Sequence, residues 1–492
     1  MSVIKQKKTI LSTFLKDISL YSLEPLFFKL ISFILIPVYT AYLLPSDFGA
    51  LQFILTIGAF LRSFTQMGLN TAFWKFRSKT KISAIFSIPL IVLITQFYIG
   101  IIVLSLGIII SFYFDFANVT LNFVLIYFLA LLIKLITENY LLVCRANHNP
   151  KKYLIISISQ SVFLFSLNIY FVKYLKLNFQ GVIFAYLFSF LISSFIFFIF
   201  IKKDYVGRVS LKLSSKMIKF GYPIMISNFF VLILSISDRW FLKTFSSDYE
   251  LGLYSYGYKF ADLILAFLIQ TFQTAWIPIA WKIYSLENGK DIFVKAQKIF
   301  FFLLPIISFF LLTFIIIIGK WSTINDSYLK GFQIIYLIAF SHVFYGFYSF
   351  SVMGIYFTDK TNKILRINLI SAVINISLNI ILIPSLGMLG SAVATFVSYI
   401  LLYLMVRYYS NKFYPLNISS LIIFKQVFII VFFVAIMTYI GTQFSNLYWN
   451  ALCSFFVSII YFLVLYMFGF ISVDQIVWIK TLFNKSNYKK VK

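Results

Sequence analysis

The chain has 492 residues, of which 61% are hydrophobic and only 12% charged, and its net charge is +27. A soluble fold cannot hide that much apolar surface, because its exterior must face water. The positive charge does not mark a nucleic-acid binder either, since Lys and Arg fall in short segments between apolar runs, as in cytoplasmic loops of membrane proteins.

Fourteen apolar runs follow one another, at 17–43, 48–69, 83–110, 121–144, 153–172, 179–201, 218–242, 251–281, 297–318, 331–356, 364–383, 388–409, 421–442 and 447–470. Each is long enough to cross a bilayer as a helix. Lipid admits only helices or closed barrels, and these runs are continuous rather than alternating, so an all-α polytopic membrane protein of about 14 transmembrane helices is expected. Lys5, Lys7 and Lys8 precede the first run without a small-residue cleavage site, which reads as a retained span. With the N-terminus placed in the cytoplasm, 32 of the 42 Lys and Arg residues lie in or beside cytoplasmic segments. Five lie in outer loops and five within spans, which supports cytoplasmic N- and C-termini and an even span count. Outer joins such as Leu44-Pro45-Ser46-Asp47 and Pro384-Ser385-Leu386-Gly387 read as tight turns. Cys144 and Cys453 lack metal-ligand spacing and read as packing residues.

The chain repeats itself at about 200 residues. Pro25 corresponds to Pro223, Asp47-Phe48-Gly49-Ala50-Leu51 to Glu250-Leu251-Gly252-Leu253-Tyr254, Leu167-Asn168-Ile169 to Leu378-Asn379-Ile380, and Gly181 to Gly390. Each copy holds six spans, which implies two six-helix lobes related by a pseudo-twofold axis along the membrane normal. The expected division is residues 1–205, 206–412, and 413–492 for the two extra spans and the tail. Prolines at 25, 223, 278 and 305 are expected to kink their helices.

Phe220-Gly221-Tyr222-Pro223, Asp238-Arg239-Trp240-Phe241-Leu242, Leu251-Gly252-Leu253-Tyr254 with Lys259, and the run from Ile383 to Thr395 resemble the polysaccharide repeat-unit flippases. These form a branch of the multidrug, oligosaccharidyl-lipid and polysaccharide exporter superfamily. The resemblance implies a pair of six-helix bundles plus two extra helices, with spans one, two, seven and eight lining a cavity. It also implies a polyprenyl-pyrophosphate-linked oligosaccharide as substrate, moved from the cytoplasmic to the outer leaflet for O-antigen, capsule or exopolysaccharide synthesis. Expected surroundings are the cell (inner) membrane and its lipid bilayer, with polysaccharide polymerase and chain-length machinery as partners.

Ionisable residues within spans are costly and face cavities or partners. Nine such residues matter: Glu24, Lys29, Arg62, Lys134, Glu138, Asp238, Arg239, Lys259 and Asp262. Lys29, Arg62 and Lys259 are candidate substrate-binding cations, since a guanidinium can grip phosphate oxygens through two parallel hydrogen bonds. Arg62 could instead pair with Glu24, and Lys29 could reach a lipid headgroup. Glu24, Asp238, Arg239 and Asp262 are candidates for coupling or gating. Glu24 could carry a coupling proton or balance Lys29 or Arg62. Asp238 and Arg239 could form a gate, an interface ion pair or a substrate contact. Lys259 and Asp262, three residues apart, could partly neutralise each other, and Lys134 and Glu138, four apart, suit an internal ion pair. His342 reads as a helix–helix hydrogen-bonding residue ahead of a proton relay, and His148 as a solvated loop residue. Gly289-Lys290 and Gly319-Lys320 lack the rest of a phosphate-binding loop, and no cofactor motif, metal cluster or nucleophile–base set is evident. Three other readings remain beside the flippase: a multidrug exporter of the same fold, a membrane sugar polymerase or ligase, and a non-transporting scaffold.

Overall fold

The computed structural model describes residues 31–79, 87–113, 118–147, 149–201, 210–284, 287–358, 360–415, 420–443 and 447–467, and all regular structure in them is helical. By contacts the chain forms two compact units: residues up to Gly252 with Thr323–Asn325, and Leu253–Ser322 with the residues from Asp326 onward.

In the first unit the helices are α1 (Ile36–Tyr42), α2 (Pro45–Gln66), α3 (Leu69–Lys79), α4 (Ser87–Tyr113), α5 (Asn118–Ala146), α6 (Pro150–Asn168, continued by a π-helical turn to Tyr174), α7 (Asn178–Ile201) and α8 (Leu211–Phe245). The starts follow ordinary capping chemistry. Pro45 opens α2, where the missing N–H is harmless, and the Asp47 carboxylate accepts from the Leu44 N–H at 3.3 Å. Asn149 accepts from the Lys152 N–H at 3.2 Å to cap α6, and Ser210 from the Leu213 N–H at 3.3 Å to cap α8. α3 lies where a cytoplasmic loop was expected. Its apolar residues Leu69, Ala72, Phe73 and Phe76 recur at helical spacing and pack on Ile88, Ile91 and Val92 of α4 and Met217 of α8. A second cluster joins Phe128, Leu131 and Leu135 of α5 to Phe190 of α7.

The opening turn of α9 (Asp248–Ile264) completes this unit. The repeat-related glycines Gly49 and Gly252 meet there. A Cβ on Gly49 would lie 1.8 Å from the Asp248 carbonyl oxygen, and one on Gly252 would lie 1.8 Å from that of Pro45. Only glycine permits this approach of backbone to backbone. Lys243 and Asp248 form an ion pair across the α8–α9 join.

The second unit holds the rest of α9, a π-helical turn Leu265–Gln270, α10 (Thr271–Tyr284), α11 (Gly289–Ser322), a 3-10 segment Asp326–Ile334, α12 (Ile335–Ser351), α13 (Met353–Tyr356), α14 (Asn362–Phe413), α15 (Ser420–Gln443) and α16 (Leu447–Met467). α12 is buried along almost its whole length and packs against α11 and α14. Rings supply much of the filling: Phe301 stacks on Phe347 at 4.2 Å, Trp276 on Phe350 at 4.2 Å, and Phe309 tilts against Phe340 at 4.2 Å.

Ten helices among the described residues are long and apolar enough to span a membrane, or eleven counting the bent α8 as one. The chain is therefore an all-helical, multi-pass membrane protein, while the count of fourteen remains an expectation. Three features account for the difference. The described part of the first run begins at Ile31, and the eighth run, α9 continued through a π-helical turn into α10, is not among the helices that are apolar enough. The eleventh and twelfth runs join as α14 across Gly387, whose φ of 54° and ψ of −130° break the helix beside Pro384. Of the prolines expected to kink helices, Pro223 and Pro305 lie inside α8 and α11, and α8 bends by 40° between Ile226 and Asn228. Pro25 lies outside the described residues. The contact-based units keep α8 with the first unit, where it packs on α2 and α3, although the lobe boundary was drawn at residue 205.

Candidate functional site

α2 and α8 pack side by side and are joined by rings: Phe53 lies 5.4 Å from Trp240, and Phe60 and Phe64 lie 5.7 and 5.0 Å from Phe229. Past its last turn α2 ends on Met67 and Gly68, both left-handed at φ 45° and 65°. That turn seats on Gly221, the glycine of the Phe-Gly-Tyr-Pro motif. A Cβ on Gly68 would lie 2.4 Å from the Gly221 carbonyl oxygen, and one on Gly221 would lie 2.2 Å from that of Met67. Phe220 beside it carries Lys75 over its ring at 3.5 Å.

Next to this seat is a cavity of about 510 Å³. Its walls are Ala59, Arg62, Ser63 and Gln66 of α2, Gly68, Asn70 and Thr71 at the turn and α3, Tyr127 and Leu131 of α5, and Met225, Asn228 and Leu232 of α8. A volume of this size is ordinary for a small-molecule site.

Arg62 is the formal charge on the wall. It pairs with Glu138 of α5, which also pairs with Lys134 one turn earlier at 3.4 Å. The cluster thus holds two cations and one carboxylate. The side chains are 34% exposed for Arg62, 18% for Glu138 and 21% for Lys134, so the carboxylate is the most enclosed and Arg62 the most open to the cavity. Gln66, with its amide oxygen turned to Arg62, accepts from Nε at 3.1 Å and Nη2 at 3.2 Å. Next to Glu138, Asn139 donates to the Gln96 Oε1 at 2.8 Å, and Gln96 donates to the Asn70 Oδ1 at 3.3 Å. Asn70 lines the cavity. Hydrogen-bonded networks of this kind hold polar groups in one geometry inside an apolar surround.

The sequence candidates distribute unevenly. Glu24, Lys29 and His148 lie outside the described residues. The structure places Arg62 on the cavity wall and gives it Glu138 as a partner, 76 residues away, where Glu24 was the carboxylate considered. The expected Lys134–Glu138 pair is present. Asp238, 2% exposed, accepts from its neighbour Arg239 through both the backbone N–H at 2.8 Å and Nη1 at 3.3 Å. Neither is among the residues that line the cavity. Lys259 and Asp262 belong to α9 in the second unit, where the Asp262 Oδ1 stands 3.0 Å from the His342 Nε2. His342 thus approaches a residue of another helix, without the hydrogen bond at Nε2 that its reading expected. Sequence reasoning concentrated on ionisable residues and passed over Gln66, Asn70, Gln96 and Asn139. The signal for Gln66, Gln96 and Asn139 was an amide set in an apolar run, and Asn70 lies just past the end of one.

Solved structures of transporters share the fold. The chain resembles the lipid II flippase MurJ in its inward closed conformation, with a TM-score of 0.65 and 18% identity over 92% of this chain and 98% of that one. It resembles an inward-facing multidrug resistance MATE family transporter of the MOP superfamily, with a TM-score of 0.59 and 15% identity over 80% and 96%. An outward-facing transporter of the same kind follows, with a TM-score of 0.53 and 13% identity over 82% and 97%. No curated protein matches the chain by sequence. Residues 14–284, more than half of the chain, match the profile of a family described as polysaccharide biosynthesis protein. The chain belongs to the polysaccharide biosynthesis protein family, with a fold of the MurJ and MATE kind.

Proposed function

We propose that this protein is a flippase that carries a polyprenyl-pyrophosphate-linked oligosaccharide from the cytoplasmic to the outer leaflet by alternating access. The observation that carries the reading is Arg62 on the cavity wall, tied to a carboxylate that a second cation, Lys134, also holds. Removing phosphate oxygens from water is costly unless hydrogen-bonded charge replaces the water. Arg62 supplies a planar donor fork, and a phosphate can take it from Glu138 while Lys134 keeps the carboxylate neutralised. The chamber therefore admits an anion without leaving a bare carboxylate. Lys29 and Lys259 are the other candidate cations for the substrate's phosphates. The lipid tail stays in the bilayer, and a negative cell interior favours outward movement of the anion by about 2.3 kcal/mol per charge per 100 mV. Both termini face the cytoplasm of a cell (inner) membrane, the product feeds surface polysaccharide synthesis, and the chain itself performs no bond chemistry.

A multidrug exporter of the same fold would favour a carboxylate available to organic cations. Glu138 is already held by two cations, which favours the flippase. The test is binding to purified protein. Polyprenyl pyrophosphate should bind more tightly than the uncharged polyprenol, and Arg62→Ala should remove most of the difference. Equal affinity for both lipids, or preferential binding of an organic cation, would reverse the order of the two readings.

A further inference from the structure

The second unit contains a buried cation that the proposed transport path does not use. Arg407 of α14 is 6% exposed, inside an element apolar enough to span a membrane. Its Nη1 donates to the Gln297 Oε1 of α11 at 3.4 Å. Among the described residues no carboxylate pairs with it. A guanidinium carries five N–H donors and its charge cannot be shed, so the one amide contact at 3.4 Å leaves donors open to a further acceptor.

Two more donors sit beside it. Arg407 fixes the Gln297 amide with its oxygen inward, which turns Nε2 away, and that nitrogen is buried without a partner. The Tyr403 hydroxyl, one turn before Arg407 on the same helix face, is also buried without a partner. The helices fix this grouping. Phe301, one turn after Gln297, meets the Tyr403 ring at 5.7 Å, so the Gln297–Arg407 contact is the next layer of the same packing. The Gln426 amide of α15 donates to the Phe301 carbonyl at 2.6 Å and closes the third side. Each of these orphaned groups can donate, and the fixed charge is positive. Lys298 and Lys425, adjoining the inward-facing Gln297 and Gln426, are exposed, while the acid on this end of α11, Asp291, is exposed at its first turn.

We propose that Arg407, Gln297 and Tyr403 form a binding site for a phosphate oxyanion, with Lys298 and Lys425 at its rim. The phosphate belongs either to the headgroup of an anionic phospholipid or to free phosphate, and basic pockets between spanning helices suit the former. Bound there, it ties α11, α14 and α15 together.

The test uses the full-length protein in neutral detergent after lipid exchange, probed separately with phosphatidylglycerol, phosphatidylcholine and inorganic phosphate. Native mass spectrometry reads retained lipid, and thermal unfolding reads all three probes. Phosphatidylglycerol should bind and raise the unfolding temperature, phosphatidylcholine should do neither, and Arg407→Gln should bind phosphatidylglycerol about tenfold more weakly, as loss of a hydrogen bond to a charged group implies. A rise with inorganic phosphate that Arg407→Gln abolishes assigns the site to the free anion. Equal retention of both lipids with no response to phosphate, or undiminished phosphatidylglycerol binding by Arg407→Gln, overturns the proposal. If that variant does not fold, Gln297→Leu removes the orphaned amide without altering charge, and it must also weaken binding. Unchanged affinity in Gln297→Leu is then the overturning result.

Discussion

Replacing Gly49 by alanine puts a methyl group where the structure has a carbonyl. The added Cβ would lie 1.8 Å from the Asp248 oxygen and 2.9 Å from the Gly252 nitrogen, both backbone atoms, so no side-chain rotation relieves it. A carbon and a carbonyl oxygen rest at about 3.3 Å, so the two strands of backbone must part by roughly 1.5 Å. Inserting a methyl into a packed contact costs about 1–3 kcal/mol, and a rigid backbone neighbour puts this case toward the upper part of that range. Gly252→Ala meets the Pro45 oxygen at the same 1.8 Å and demands the same displacement. The double variant should therefore lose clearly less stability than the sum of the two single variants, because one parting of the backbones accommodates both methyls. Thermal unfolding of the four proteins in detergent measures this cycle. Single variants as stable as the wild type, or strictly additive losses, would refute the reasoning.

Other substitutions separate the roles of the chamber residues. Glu138→Gln leaves Arg62 and Lys134 facing each other across a neutral amide, and it should destabilise the fold by about 1–3 kcal/mol once the partial exposure of both cations is allowed for. Arg62→Ala leaves Glu138 its Lys134 partner, so its unfolding temperature should stay nearer the wild type. Asn139→Ala removes the 2.8 Å donor to Gln96 and should cost about 1–3 kcal/mol by leaving a buried carbonyl unsatisfied. Gly68→Ala should destabilise by about 1–3 kcal/mol, since φ is 65° and the methyl meets the Gly221 carbonyl.

The helices were legible because lipid leaves a chain few options, and runs such as 297–318 and 447–470 fall on α11 and α16. The short amphipathic helix α3 was missed because its cations, Lys75, Arg77 and Lys79, drew attention to topology. Leu69, Ala72, Phe73 and Phe76 nevertheless carried the helical period in plain view. The repeat paired Gly49 with Gly252 by position alone. Their direct contact depends on how two distant segments approach, which spacing does not specify. The Lys134–Glu138 pair was visible because helical geometry brings residues four apart together. Arg62 with Glu138, and Asp262 with His342, are long-range juxtapositions set by helix packing, and no local rule reaches them.

The central claim is that a cationic chamber carries lipid-linked pyrophosphate across the membrane. Its most direct measurement is made in cells whose own copy is deleted and replaced by Arg62→Ala, with membrane expression verified. Surface polysaccharide and the leaflet distribution of lipid-linked oligosaccharide are then read together. The account predicts loss of surface polymer with precursor accumulating in the cytoplasmic leaflet. Normal polymer and normal leaflet distribution in a well-expressed Arg62→Ala strain would contradict it.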